Sequence, residues 1–241
     1  MMSVLLSKVE LLSSIADNFP FLHLYPMQFK KNITVITGEN GSGKSTLLEC
    51  LALKFGCPPE GGSANFNFRT EDTHFDYTQH VRISKTAKKI RDVFFYRSET
   101  YYNFLTEMRH LDEAPEGGAN IRMYYGGRDL HTLSHGQAMR ALYEHRFGEG
   151  GLYILDEPES ALSITNQINF VEKILQLSRK GTQFIIATHS PILMLMPDIQ
   201  LIQITENSHR EINFTDSHIY YMYKEILNSQ GKFLQQIMNI E

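Results

Sequence analysis

The sequence predicts an α/β fold with a mixed, mostly parallel sheet flanked by helices, and two observations carry that prediction. Short apolar runs alternate with longer stretches at helical period. Each of the three clearest runs, Ile33-Thr34-Val35-Ile36, Leu152-Tyr153-Ile154-Leu155 and Gln183-Phe184-Ile185-Ile186, feeds directly into a turn of distinctive chemistry. Between the second and third runs, Ile164, Ile168, Val171, Ile174 and Leu175 recur on one helical face, and Arg179-Lys180-Gly181 supplies a basic, glycine-terminated end. Strand, helix and strand then make a parallel crossover. A helix over residues 46–55 follows the first run. Further along, a short strand is expected at 92–96 and a helix at 99–110 with Tyr102, Leu105 and Met108 on one face. The last 40 residues or so read as a hairpin, 201–205 and 211–214 around Asn207-Ser208, then a helix carrying Ile219, Met222, Tyr223, Ile226 and Leu227.

Composition narrows the class. The 241 residues are 42% apolar and 21% charged, enough apolar material for one globular domain and too much for a disordered chain. A formal net charge of −4 argues against a wholly basic nucleic-acid coat protein. The longest apolar run, Ile192 to Met196, is closed by Pro191 and Pro197, far short of the ~18 residues of a membrane span. The amino terminus lacks the features of a secretory signal. Cys50 and Cys57 are too few for a disulfide scaffold, and no Cys/His cluster has zinc spacing, so a reducing cytoplasm is the expected compartment. Gly- and Pro-rich stretches at 58–67 and 115–118 interrupt a polar region that reads as a peripheral subdomain.

The turn after the first strand is Gly38-Glu39-Asn40-Gly41-Ser42-Gly43-Lys44-Ser45, followed by Thr46, and it fits G-x-x-x-x-G-K-[ST] between a strand and a helix. Its glycines let backbone N–H groups turn inward around a phosphate, and the helix start adds partial positive charge. Lys44 would reach the β- and γ-phosphates, and the Ser45 hydroxyl would ligate Mg²⁺. The second strand ends in Asp156-Glu157, the first acid suited to holding Mg²⁺ and the second to polarising an attacking water. Alone, such an acid pair is as readily a helix cap. Leu133-Ser134-His135-Gly136-Gln137 opens a helix, and Thr188-His189-Ser190-Pro191 follows the third strand. Each is an unremarkable cap or surface residue when taken singly.

Together, in this order and spacing, the four motifs resemble the ATP-binding-cassette (ABC) ATPases over about residues 33–191. The Leu-Ser-His-Gly-Gln segment is similar to that family's signature with His135 in place of a glycine, and Ser160-Ala161-Leu162-Ser163 is similar to its D-loop. The resemblance implies one ABC-type domain over 1–241: an amino-terminal antiparallel β region and P-loop (1–57), a small helical subdomain ending in the signature helix (58–147), and the Asp-Glu strand, switch histidine and C-terminal hairpin and helix (148–241). It implies ATP and Mg²⁺ as cofactors, ATP hydrolysis, and a head-to-tail homodimer formed on ATP. In that dimer Ser134, Gly136 and Gln137 complete the partner's site. Glu157 and His189 act in catalysis, and Ser160 to Leu162 communicate between sites.

Three departures set further expectations. Where transporter cassettes carry a Gln after the strand entering the helical subdomain, this chain offers Ser98 or Glu99, with Glu99 the candidate Mg²⁺ contact; Gln79 competes, but no convincing strand precedes it. Tyr25 and Phe29 are the candidates for stacking on adenine. Only 34 residues separate Glu99 from Ser134, without heptads, which excludes long coiled-coil arms. The segments Phe94-Phe95-Tyr96-Arg97-Ser98-Glu99, Asp156-Glu157-Pro158-Glu159-Ser160-Ala161-Leu162-Ser163 and Ala187-Thr188-His189-Ser190-Pro191 are similar to the soluble branch near RecF, SMC and OLD-type heads, implying a motor or switch acting on a protein, or on DNA or RNA, with no membrane insertion of its own. The rival readings are an ABC transporter's ATP-binding subunit and a nucleic-acid sensor using ATP as a ligand. The basic cluster at 85–91 reads as a solvated helix face more readily than as a phosphate-binding one.

Overall fold

A computed structural model describes residues 4–12, 21–63, 77–101, 106, 126–127, 133–230, 232–233 and 236. The main sheet has seven strands in the order β10-β9-β3-β8-β7-β6-β4. Its five inner strands, β9 (Gln200–Ile204), β3 (Ile33–Gly38), β8 (Gln183–Ala187), β7 (Leu152–Asp156) and β6 (Val93–Arg97), run parallel. Antiparallel edge strands, β10 (His209–Glu211) and β4 (Gly62–Ser63), close the two sides. The strands β3, β7 and β8 are buried along almost their whole length, which is why they read as continuous apolar runs and not as alternating ones.

A second, three-stranded antiparallel sheet, β2-β1-β5, holds the amino-terminal β region: β1 (Leu6–Leu11), β2 (Met27–Gln28) and β5 (Val81–Lys85). The third member comes from beyond residue 57, so this region is not contiguous in sequence. Gln183 joins the two sheets. Its Oε1 accepts from the N–H groups of Leu5 and Leu6, both at 2.8 Å, and its Nε2 donates to the Leu6 carbonyl at 2.9 Å. The side chain is fully buried, so truncation strands three backbone groups away from water at about 1–3 kcal/mol each. Gln183→Leu is therefore expected to destabilise the protein by about 3 kcal/mol, read as a drop in the urea midpoint with little change in slope.

Helix α1 (Lys44–Lys54) lies between the two sheets, burying Leu47, Leu48 and Leu51 in one apolar cluster with β1 and the facing side of the main sheet. On the opposite face, α2 (His135–Ala141), a turn of π-helix over Leu142–Arg146, and α3 (Ile164–Arg179) pack over a second cluster rich in aromatic rings. Phe147 is its hub, stacked on Tyr153 at 4.2 Å and tilted against Phe170 at 6.5 Å.

Several expectations shift. The third helix buries Phe170, Ile174 and Leu177, whereas Ile164 and Ile168 are 69% and 56% exposed. The stripe holding Phe170 lies about 100° round the helix from the aliphatic stripe, and the bulk of its ring among Tyr143 and Phe147 decides which faces inward. The hairpin's second strand is 209–211 and not 211–214, because Phe214–Asp216 turns into a short helical loop that leads to Ser217, the cap of α4 (His218–Asn228). The basic cluster is not helical: Lys85 ends β5 and the following residues are irregular and largely exposed. Most of the expected helix at 99–110 and of the helical subdomain lies outside the described residues. No helix of the described residues is long and apolar enough to cross a membrane.

Candidate nucleotide-binding site

The site forms where β3, β8 and β7 end on the same side of the sheet, so three turns distant in sequence converge. The P-loop joins β3 to α1. Gly43 has φ +95°, and a Cβ there would sit 2.7 Å from the Phe21 ring, so both conformation and space call for glycine. Lys44 is buried, and its Nζ donates to the carbonyls of Gly38 at 2.7 Å and Glu39 at 2.9 Å. Burial lowers its pKa, opposed by the charges of Glu157, Asp156 and Glu39.

Asp156 ends β7, 5% exposed, and is hydrogen-bonded to the Ser45 side chain. Burial pushes its carboxyl up to about 6, against the pull of Ser45 and Arg97. Its Oδ1 has no hydrogen-bond partner, and the same holds for Thr37 Oγ1, Ser42 Oγ and His189 Nε2. Four buried polar atoms without hydrogen-bond partners, on β3, in the P-loop, at the end of β7 and in the turn after β8, fit an oxygen-rich ligand. A carboxylate beside a hydroxyl also fits Mg²⁺, which takes one or two protein oxygens and completes its shell with phosphate and water. Among the described residues no group of three or more His, Cys, Asp or Glu is placed to hold a metal ion.

Glu157 adopts the left-handed conformation, φ +49°, in the turn after β7. Its N–H donates to the Ala187 carbonyl at 2.9 Å, fixing the turn against β8. A non-glycine residue held there stores strain, as functional turns often do. Its carboxylate faces His189, Oε1 to Nε2 3.8 Å, both half exposed. The His189 N–H in turn donates to Glu159 Oε1 at 2.8 Å, tying the turn after β8 to the one after β7.

The remaining sequence candidates separate into two groups. Glu99 stands beyond β6, 79% exposed, with its carboxylate 3.7 Å from Arg97. Arg97 itself pairs with Asp156 in register and bonds Glu49 of α1 at 2.7 Å. None of the four motifs contains it, although a cation just past an apolar run is a visible signal. Of the adenine candidates, Phe29 is a core residue and Tyr25 packs against the same core. The cleft of about 950 Å³ beside the P-loop is lined by Phe21 and His23 instead, with Asn40, Gly41 and His189. His23 is held by contacts to the Ser42 carbonyl at 3.3 Å and from His209 to its own carbonyl at 2.7 Å.

The signature residues lie elsewhere. Ser134 caps α2 through a reciprocal box: its Oγ accepts from Gln137 N–H at 3.3 Å, and Gln137 Oε1 accepts from Ser134 N–H at 2.9 Å. Gly136 lies on the D-loop backbone, where a Cβ would meet the Ala161 carbonyl at 2.7 Å. None of the three lines the P-loop cleft of its own chain.

Among known proteins, the chain is similar to the hemin import ATP-binding protein HmuV of Rhodopseudomonas palustris, 29% identical over 170 residues. That match covers 65% of this chain and 63% of the relative, so the chain spans less than two thirds of that protein's length. It is also similar to the cytochrome c biogenesis ATP-binding export protein CcmA of Brucella abortus, 28% identical over 170 residues, 66% of this chain and 73% of that one. Among solved structures, an ATP-binding cassette of an ABC transporter superposes with a TM-score of 0.55 at 16% identity, covering 92% of this chain and 99% of its own. CbiO1 from Clostridium perfringens, part of the ABC transporter complex CbiONQ, superposes with a TM-score of 0.51 at 20% identity, covering 99% of each chain. These likenesses show the fold. The AAA domain family matches residues 18–239, and the chain therefore belongs to that family, as a P-loop ATPase domain of the ABC-ATPase fold.

Proposed function

We propose that this chain binds Mg²⁺·ATP, closes head to tail on a second copy, and hydrolyses ATP to drive a partner protein. The observation that supports the pairing best is that Ser134 and Gln137 are exposed at the start of α2, where each side chain bonds the other's backbone N–H. A signature open at the surface can serve another copy. The exposed Ile164 and Ile168, just past the D-loop, supply apolar surface on the same flank.

In this reading the backbone of Gly38 to Gly43 and the Lys44 ammonium cradle the phosphates, with Lys44 exchanging two carbonyls for phosphate oxygens. Ser45 and Asp156 would hold Mg²⁺, which supplies charge neutralisation at the β- and γ-oxygens. Glu157 orients and deprotonates the attacking water, and His189 Nε2 donates to the γ-phosphate. Phe21 and His23 face the base. The Ser134 hydroxyl, whose oxygen already accepts from Gln137 N–H, keeps its own proton to donate to the partner's γ-phosphate.

The relatives favour one class of partner. HmuV and CcmA are ATP-binding proteins of import and export, so a membrane-embedded transport protein, met on the cytoplasmic side, is the partner they support best. A non-transporter role is favoured by one observation of the chain itself: Arg97-Ser98-Glu99, with its cation against Glu49, stands where transporter cassettes carry Gln. Co-purification with a membrane protein in detergent supports the first role. Turnover stimulated by DNA or RNA, and lost steeply with salt, supports the second.

The proposal is tested by turnover against protein concentration. Specific activity is expected to rise with chain concentration, to need Mg²⁺, and to fall on the order of a hundredfold or more in Lys44→Ala. Activity per chain independent of concentration would contradict the shared site.

A further inference from the structure

We propose that Tyr96 is a positioning residue that clamps the signature segment to the D-loop of the same chain, so that each chain presents a preformed half-site to the other. The proposal rests on the reading above, in which the signature acts on the partner's nucleotide.

Tyr96 lies on β6, 1% exposed, and its hydroxyl reaches in two directions. One is toward the Ser160 hydroxyl of the D-loop, which helps to offset the effect of burial on the Tyr96 hydroxyl. The other is His135 Nε2, at 3.4 Å. His135 occupies the signature position where the resemblance leads one to expect glycine. A glycine there could make neither contact.

Two further contacts reinforce the clamp. The His135 ring stacks on Tyr101, centroids 5.4 Å apart and planes 15° from parallel, and Tyr101 packs on Tyr96 at 4.9 Å. Next to it, Gly136 touches the Ala161 carbonyl so closely that no side chain fits between signature and D-loop. Burial lowers the His135 pKa, favouring the neutral ring, whose Nε2 can accept while Tyr96 donates. Ser160 then donates to the Tyr96 oxygen, and the three side chains form one directed chain.

At 3.4 Å the Tyr96–His135 contact is long for a hydrogen bond, so it orients the ring while stacking carries most of the attachment. Its consequence lies in geometry. A signature docked on β6 and the D-loop before the partner arrives spares the closing dimer the cost of ordering it. The D-loop is also tied through Glu159 to the backbone of His189. Movement at one chain's switch histidine therefore has a physical route to the signature it presents to the other site.

The test uses complementing chains. Lys44→Ala lacks a working P-loop and Ser134→Ala a working signature, and their mixture holds one intact composite site if signatures act in trans. Tyr96→Phe is then added to one chain or the other. In the Lys44→Ala chain, which donates the signature, it is expected to lower kcat about fivefold, as the loss of the hydroxyl's two weak contacts together would, with KM for ATP within twofold. In the Ser134→Ala chain the same substitution is expected to change kcat by less than twofold. His135→Asn, which loses the stacked ring, should repeat the asymmetry more strongly. Equal losses in both placements, or none in either, overturn the clamp while leaving the trans site standing. No activity from the unmodified mixture overturns the trans reading itself, and the clamp with it.

Discussion

Glu157→Gln is expected to lower ATP turnover by at least about a hundredfold while leaving nucleotide affinity almost unchanged. The argument starts from the backbone. The left-handed turn and the bond from Glu157 N–H to Ala187 hold the side chain in place whatever its terminal group, so glutamine should occupy the same space. What it loses is the capacity to accept a proton from water. In the proposed reading the P-loop and Lys44 hold the phosphates, and the substitution does not touch them. A fall in kcat without a rise in KM is the pattern expected when a group acts only in the transition state. Single-turnover hydrolysis and equilibrium binding of a fluorescent ATP separate the two quantities. Hydrolysis at the unsubstituted rate would remove Glu157 from the mechanism.

Asp156→Asn should pull stability and activity in opposite directions. Burial raises the carboxyl from its ordinary 3.8 to about 6, so the folded protein holds that proton more tightly than the unfolded chain. The sign follows from linkage. The group's favourable contribution is complete below about pH 4 and is lost as pH rises through about 6. Above that the buried carboxylate costs about 2 to 3 kcal/mol, the free-energy equivalent of the shift. Asparagine carries no such cost. At pH 8 and without nucleotide, its melting temperature is expected to rise by about 5 °C, and the gain should vanish near pH 4. Turnover should fall on the order of a hundredfold, because an amide is a poor ligand for Mg²⁺. A destabilised variant at pH 8 would show that Asp156 contributes to the fold through its hydrogen bond with Ser45 more than it costs by burial.

How much of this could be read beforehand depends on how local each cause is. The P-loop, the Asp156-Glu157 pair and His189 follow buried strands, and each announces itself within a few residues. Their convergence needed only the rule that parallel strands place their following turns on one side. Longer-range features were illegible. The pairing of β1 with β5 joins segments more than 70 residues apart, and no pattern in either run specifies the other. Phe21 and His23 line the cleft while Phe29 is in the core, a matter of which aromatic the amino-terminal turn aims outward. Ile164 and Ile168 match a buried stripe in period, yet the larger ring of Phe170 turns the helix away from them. Arg97 is the instructive miss. A cation after an apolar run marks in sequence no more than a strand's end, and only the register of β6 with β7 sets it beside Asp156.

His135 shows the converse. In sequence it is a departure from a familiar signature, with no consequence attached. In the fold it is the residue through which Tyr96 and Tyr101 grip that signature.

The central claim is that one chain holds half of each active site. Sedimentation velocity on Glu157→Gln with and without Mg²⁺·ATP tests it most directly. The account predicts a monomer alone that becomes a dimer with ATP, and a dimer that fails to form when Ser134→Ala is added. A monomer that binds ATP at full occupancy and stays a monomer at every concentration would contradict it.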